Sequence, residues 1–219
     1  MGDFVRKMAH DFYGYGRWSA PYWFIGPEQG GDGNEERAKA FSELGKDGLC
    51  DCKEFHKAIN EFRWHREPPE EAKLQPTWRR LMLLLMPSLK LGTDPLALRR
   101  YQSRDWGMHE GETCVIELGG LAAKSFRTPI DRQSFREGRI KSIKERLNER
   151  IRQTDPYLRL VVMYGSSSRV AWKSICGYDF SKGGLLKHEK TVFAFMPSPT
   201  WPGQWDEEWI DLGVRIALG

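Results

Sequence analysis

Short apolar runs alternate with longer amphipathic segments along the chain, and the apolar runs predict the strands of a buried sheet. Each run is followed by glycine or proline, residues that end strands. Uninterrupted apolar runs of this length are typical of strands covered on both faces, as in a parallel sheet. The predicted strands are Tyr22–Ile25, Thr113–Leu118, Leu158–Tyr164 and Thr191–Met196.

The segments between these runs carry helical patterns and caps. Asp94 followed by Pro95 is typical of an N-cap with proline in the first turn. In the longest segment Ile140, Ile143 and Leu147 recur at three- and four-residue spacing, which predicts one apolar helix face. The predicted helices cover Asn34–Leu44, Thr77–Met86, Asp94–Arg100 and Asp131–Gln153.

The longest predicted helix also carries many basic residues, which we expect to form a solvated face rather than a DNA-binding surface. Glu137, Glu145 and Glu149 are interleaved among them and would pair with them across helical turns. The basic positions are Arg136, Arg139, Lys141, Lys144, Arg146 and Arg150.

Strands that alternate with helices predict an α/β fold with right-handed crossovers. We expect a single domain over residues 1–219, built as a three-layer α/β/α sandwich with a central four-stranded parallel sheet. In such a sheet the carboxyl ends of the strands meet at one edge, where ligands bind. The four tips are GPEQGG, ELGG, GSSS and MPSPT, and we expect them to line one crevice.

Composition, charge and cysteine spacing indicate which partners and cofactors to expect. The chain has 219 residues, of which 40% are hydrophobic and 29% charged, and its net charge of +4 permits a nucleic-acid partner without requiring one. We expect no membrane partner, because neither a leader-like N-terminus nor an apolar stretch of about 18 residues occurs. Because no cysteine pair has C-x2-C spacing or a disulfide-like pattern, we expect a cytoplasmic protein without a metal cluster or cofactor. The cysteines are Cys50, Cys52, Cys114 and Cys176.

The turn after the first strand, residues 26–31, is the first candidate for chemistry. Its glycines would let a ligand approach the backbone, and Glu28 could act as a base or stabilise a positive charge. The same pattern fits a tight strand-to-helix turn with a solvated Glu28. The residues alone favour neither interpretation over the other. The turn has neither the G-x-G-x-x-G spacing of a dinucleotide site nor the GK[ST] of a phosphate loop.

The loop after the fourth strand, MPSPTWPG, is the second candidate. Its prolines stiffen the loop, and Trp201 near its end could press into a DNA duplex as a wedge. Proline-rich turns that carry one tryptophan are also ordinary surface connectors, so the loop alone does not establish a DNA contact.

The two turns together resemble motifs A and B of the uracil-DNA glycosylase superfamily. Motif A is a strand that ends in a turn such as GQDPY, GINPG or GEAPG, and WFIGPEQGG is similar to it. Motif B is a strand that ends in HPS or NPS, and VFAFMPSPT is similar to it. CVIELGG, KSFRTPI and DPYLRLVVMYGSSSRVAW are similar to the stretches between the motifs, so the likeness covers most of residues 20–205. Residues 45–110 lie outside it and would form a helical elaboration of the domain.

The resemblance implies roles for particular residues. Glu28 falls on the position of the catalytic Asp or Asn of the GQDPY and GINPG families, whereas the GEAPG families place their acid one residue earlier, where this chain has Pro27. Glu117 falls where the middle strand of the family often supplies an Asn. Met196 replaces the motif B histidine and cannot donate a hydrogen bond to a leaving base. The residues expected around the base are Gly26, Pro27, Gln29, Gly30, Glu117 and Met196, and those expected against DNA are Pro197, Ser198, Pro199, Thr200 and Trp201.

The function that the resemblance implies is that of a monofunctional DNA glycosylase, which hydrolyses the N-glycosidic bond of a flipped-out base and leaves an abasic site. A modified or non-uracil base is expected, because Glu117 would repel a uracil carbonyl but could accept from an exocyclic amine. Base-excision repair and defence against phage DNA with modified bases are both compatible with such an activity. Two alternatives stay open: a catalytically silent DNA-binding member, favoured by Met196, and a hydrolase or binding protein for free nucleosides.

Overall fold

The computed structural model describes residues 2–28, 33–122, 132–180, 184–200 and 202–218, with side chains except at Glu28 and residues 132–134. The helices in these ranges are α1 (Asp3–Asp11), α2 (Asn34–Leu44), α3 (Cys52–Ala58), α4 (Pro76–Leu89), α5 (Pro95–Arg104), α6 (Arg132–Arg152), α7 (Arg169–Cys176) and α8 (Asp206–Leu218). The strands are β1 (Gly14–Tyr15), β2 (Tyr22–Glu28), β3 (Leu49–Cys50), β4 (Thr113–Gly119), β5 (Leu160–Tyr164), β6 (Leu185–His188) and β7 (Thr191–Met196).

The strands form one seven-stranded sheet in the order β3-β1-β4-β2-β5-β7-β6. The inner strands β4, β2, β5 and β7 run parallel and correspond to the four apolar runs of the sequence. β1 pairs antiparallel with β4, and β6 pairs antiparallel with β7. The α/β class is confirmed, but the expected four-stranded parallel sheet is wrong because the sheet is mixed and extends on both sides. The added strands carry no apolar run, since β1 and β3 have two residues each and β6 is largely exposed.

Side chains alternate across the inner strands and enter two hydrophobic cores, one on each face of the sheet. On β2, Trp23 and Ile25 face the core that α6 and α7 cover. Tyr22 and Phe24 face the larger core, to which α1, α2, α4 and α8 contribute. Helices therefore lie on both faces of the sheet. Among the helices of the described ranges, none is both long and apolar enough to cross a membrane.

Residues 45–110 hold α3, α4 and α5. Asp94 caps α5 as expected, since its Oδ1 accepts hydrogen bonds from the N–H groups of Leu96 and Ala97. α4 packs closely against α8 at Gly213, where an added Cβ would lie 2.3 Å from the carbonyl oxygen of Leu84. This contact holds α8 against α4 directly after the loop that follows β7.

The expectation that the basic residues of α6 form a solvated face is wrong for two of them. Arg139 and Arg150 are buried, with 2% and 3% of their surface exposed. Arg139 donates to the carbonyls of Leu118 and Glu117 at 2.7 and 2.6 Å, and to that of His10 at 3.1 Å. These carbonyls lie where β4 and α1 end, and such ends leave acceptors for other donors. Arg139 therefore joins α6 to the carboxyl edge of the sheet.

Candidate functional site

Four residues of the inner strands form a row across the carboxyl edge of the sheet. Glu117 of β4 is the register partner of Gly26 on β2, and Tyr164 of β5 is the partner of Met196 on β7. Alternation places them on the face of the larger core, two residues beyond strand positions that point into it. In the order of the strands the row is Glu117, Gly26, Tyr164 and Met196, and we call it the strand-end row.

The close approach that occurs at Gly26 is that of the Tyr164 side chain. A Cβ added to Gly26 would lie 2.2 Å from Tyr164 Oη and 2.3 Å from Cζ, so the phenol ring lies directly over the glycine. Tyr164 is only 5% exposed and packs with the larger core. Sequence reasoning missed this residue because it appeared as the last apolar position of a strand. The pattern that could have indicated it is a tyrosine at the end of one predicted strand together with a glycine at the end of another.

Glu117 is a buried carboxylate at the end of β4, with 5% of its surface exposed. Its backbone is held on both sides: its N–H donates to the carbonyl of Tyr13 at 2.8 Å, and Arg139 donates to its own carbonyl. Burial, and after it the charge of Glu117, raises the pKa of the Tyr164 phenol well above its ordinary value. Tyr164 is therefore a proton-bearing donor at neutral pH, close to a group that accepts hydrogen bonds when ionised.

The tip of β2 stands beside these residues. Pro27 is half-buried, and a Cβ on Gly165, the residue after β5, would lie 3.4 Å from the Pro27 ring. The backbone of Glu28 is paired with Gly119 at the end of β4, which places this residue at the same edge. The side chain of Glu28, and Gln29 and Gly30 as a whole, lie outside the described residues.

The tip of β5 is fixed by hydrogen bonds from three directions. The N–H of Gly165 donates to the carbonyl of Met196 at 3.1 Å, which links this tip to β7. Trp172 Nε1 donates to the carbonyl of Gly165 at 3.1 Å, and Arg136 of α6 donates to Ser168 Oγ at 2.7 Å. The GSSS segment is thus part of the rigid edge of the sheet.

The loop after β7 is anchored by α4. Arg80 donates to the carbonyl of Pro199 and, at 2.9 Å, to that of Gln204. Pro199 is buried and Pro197 is half-buried. The half-buried Ser198 places its Oγ 3.1 Å from Oγ1 of the exposed Thr200. These contacts fix a loop that the prolines already stiffen.

A tryptophan of this loop is strongly exposed. Trp201, the expected wedge, lies outside the described residues. Trp205, just before α8, is 68% exposed, which is unusual for so large an apolar side chain. Sequence reasoning did not single out Trp205, because only the surface position, and not the residue type, distinguishes it from the core tryptophans.

Side chains able to hold a metal ion gather on and after α3. Cys52, His56 and His65 are all buried, and one donor atom from each lies within 4.8 Å of the others. The sequence has no C-x2-C pair, so this group was not predicted. The one signal in the sequence was that Cys52 and His56 are one helical turn apart.

Comparison of the chain with models of protein families, with curated proteins and with solved structures found no match.

Proposed function

We propose that the protein is a DNA glycosylase that hydrolyses the N-glycosidic bond of a flipped-out base at the strand-end row. The observation behind this proposal is the strand-end row itself. The buried carboxylate of Glu117 lies beside Gly26 and the buried phenol of Tyr164 lies over it, at the edge where parallel sheets bind ligands. The likeness of the adjoining turns to motifs A and B of the uracil-DNA glycosylases supports the same class of reaction.

The strand-end row suits a base that carries an exocyclic amine. Ionised Glu117 only accepts hydrogen bonds, whereas protonated Tyr164 donates one. Cytosine- and adenine-like bases offer an amine donor together with ring-nitrogen acceptors, which complements this pair. Uracil would place a carbonyl oxygen where the amine lies, and Glu117 would repel it. A modified base that keeps its amine is therefore the substrate class we propose.

In the proposed reaction the bonding electrons of the glycosidic bond leave with the base, and water adds to the sugar carbon. Positive charge develops on the sugar, and a carboxylate at Glu28 would stabilise it and take a proton from the water. Met196 offers no donor to the departing base. Tyr164 is the register partner of Met196, and we assign to it the hydrogen bond that the family's histidine makes.

The loop after β7 is the proposed DNA contact. Its anchoring by Arg80 would let the half-buried Pro197 and Ser198 press on the DNA backbone without moving, while the buried Pro199 would support the loop from behind. An aromatic ring is needed to fill the space left by a flipped base, and Trp201 and the exposed Trp205 are the candidates.

The decisive experiment uses single- and double-stranded oligonucleotides that each carry one modified base, followed by alkali and a denaturing gel. Strand breaks are expected with amino-bearing modified bases or hypermodified phage DNA, and few or none with uracil. Glu28→Gln should lower the rate by roughly 100-fold or more while DNA binding survives. Glu35→Gln removes an exposed carboxylate from the next helix and should leave the rate unchanged.

The role of Tyr164 is tested by Tyr164→Phe, which keeps the ring over Gly26 and removes the hydroxyl donor. We expect a rate loss of roughly 100- to 1000-fold, the scale of one preorganised donor. Tyr178→Phe, at a half-buried tyrosine on another part of the surface, is the matched control.

The catalytically silent DNA-binding protein is the second candidate, and the Tyr164 ring over Gly26 favours it, because that ring occupies space a bound base would need. Gel shifts without strand breaks on every substrate would establish this alternative. Base release from free nucleosides but not from DNA would instead point to a nucleoside hydrolase.

A further inference from the structure

Three metal-binding side chains meet in the core beside α3. Cys52 is the first residue of α3, and His56 follows one turn later on the same helix face. His65 follows the short helical turn Phe62–Trp64 and folds back against them. Cys52 Sγ lies 3.5 Å from Nδ1 of His56 and 3.7 Å from Nε2 of His65.

These distances match the edges of a tetrahedral zinc site. With zinc–sulfur bonds of roughly 2.3 Å and zinc–nitrogen bonds of roughly 2.0–2.1 Å, sulfur and nitrogen ligands lie about 3.5 Å apart. The two sulfur–nitrogen distances therefore already have nearly the length that a zinc site needs. A thiolate with two imidazoles also binds zinc in preference to cations that favour oxygen ligands.

The surroundings fix the segment that carries His65. The backbone of Gln102 lies beside the His65 ring, and the Gln102 side chain is itself fixed. It accepts from the N–H of Gln75 at 2.9 Å and donates to the carbonyl of Trp64 at 2.7 Å. His56 Nδ1 lies 2.7 Å from the carbonyl of Cys52. That carbonyl can only accept, so without metal Nδ1 carries the proton, and binding a metal there moves the proton to Nε2.

Each of the three groups can act as a metal ligand. A neutral imidazole keeps a lone pair on its unprotonated nitrogen. A bound cation would displace the proton of the Cys52 thiol.

We propose that Cys52, His56 and His65 form a three-ligand zinc site that ties α3 to the segment after it. Three protein ligands leave the fourth tetrahedral position to a solvent molecule. The ring centroids of His56 and of Tyr15 in β1 are 5.2 Å apart, so the site also connects this segment to β1. This site is independent of the proposed glycosylase activity, whose residues lie at the strand ends.

Elemental analysis of the purified full-length protein, and titration of the metal-depleted protein with Co²⁺, test the proposal. About one zinc per chain is expected, and Co²⁺ should give the absorption of a tetrahedral ion with a thiolate ligand. Cys52→Ser and His65→Gln should each weaken metal binding by at least roughly 10- to 100-fold. Cys50→Ser changes an equally buried thiol two residues away and should keep full binding.

Thermal unfolding gives a second measurement. Removing zinc with a chelator should lower the melting temperature by several degrees, and adding Zn²⁺ back should restore it. If Cys52→Ser does not fold, the Co²⁺ spectrum of the parent protein still shows whether a thiolate binds the metal ion. A parent protein that contains no zinc and gives no thiolate-to-cobalt absorption overturns the proposal. Metal binding that is lost in Cys50→Ser but kept in Cys52→Ser overturns it too.

Discussion

The contact between Gly26 and Tyr164 can be tested by adding a single methyl group. In Gly26→Ala the new Cβ would lie 2.2 Å from Tyr164 Oη, well inside contact distance. Gly26 is in β2 and does not have a left-handed φ, so its backbone accepts alanine without strain. The substitution therefore measures only how firmly the Tyr164 ring is held.

The expected magnitude follows from two opposing effects. Overpacking of a buried site costs about 1–3 kcal/mol, because the ring cannot swing away without leaving the core. Replacing glycine by alanine restores about 0.4–1 kcal/mol by restricting the unfolded chain. We therefore expect Gly26→Ala to reduce the free energy of unfolding by about 1–2 kcal/mol. Gly138→Ala on α6 is the control, because nothing lies within 4 Å of its added Cβ, and it should be neutral or stabilising.

A double-mutant cycle with Tyr164→Ala isolates the contact. Tyr164→Ala alone should cost about 3–5 kcal/mol, as for other large aromatic side chains in cores. In that background Gly26→Ala should no longer destabilise, so the coupling free energy between the two sites should be about 1 kcal/mol or more. Urea unfolding with unchanged m-values is the measurement. A Gly26→Ala variant as stable as the parent would refute the packing of the ring over the glycine, and with it the ordered strand-end row.

Three further substitutions test other parts of the molecule. Arg139→Met removes the buried donors to the end of β4 and should cost about 3–5 kcal/mol of unfolding free energy, whereas Lys141→Met, on an exposed part of the same helix, should change it by less than about 0.5 kcal/mol. Met196→His should raise uracil release in single-turnover assays, whereas efficient uracil excision by the parent would contradict the role given to Met196. Trp205→Ala should weaken binding to duplex DNA by about 1–3 kcal/mol with little change in melting temperature, while Phe4→Ala, an exposed aromatic on α1, should leave DNA binding unchanged.

The inner part of the sheet could be predicted from the sequence because its strands are buried on both faces and thus appear as continuous apolar runs. β1 and β3 are too short for any pattern, and β6 is exposed, so neither edge of the sheet could be predicted. Arg139 shows a different limit. Its charge indicated solvent, but it lies four residues before Ile143, on the side of the helix that contacts β4.

Part of the candidate site could likewise be predicted from the sequence, and part could not. Gly26, Glu117 and Met196 could be placed at one edge because parallel strands end together. Tyr164 could not be assigned there, since its position depends on the register between β5 and the neighbouring strands. The Cys52 and His56 pair was visible at helical spacing, but His65 joins it only through the fold of the intervening segment.

The edges of the sheet bear on how the protein behaves at high concentration. A parallel sheet with open edges offers unpaired N–H and C=O groups to which other chains can add strands. Here one edge strand, β3, has only two residues, and the other, β6, carries Lys187 and His188 in an exposed position. A short edge gives an incoming strand too few partners, and a charged edge would force like charges together. The outer strands thus protect the apolar interior of the sheet from aggregation by strand addition.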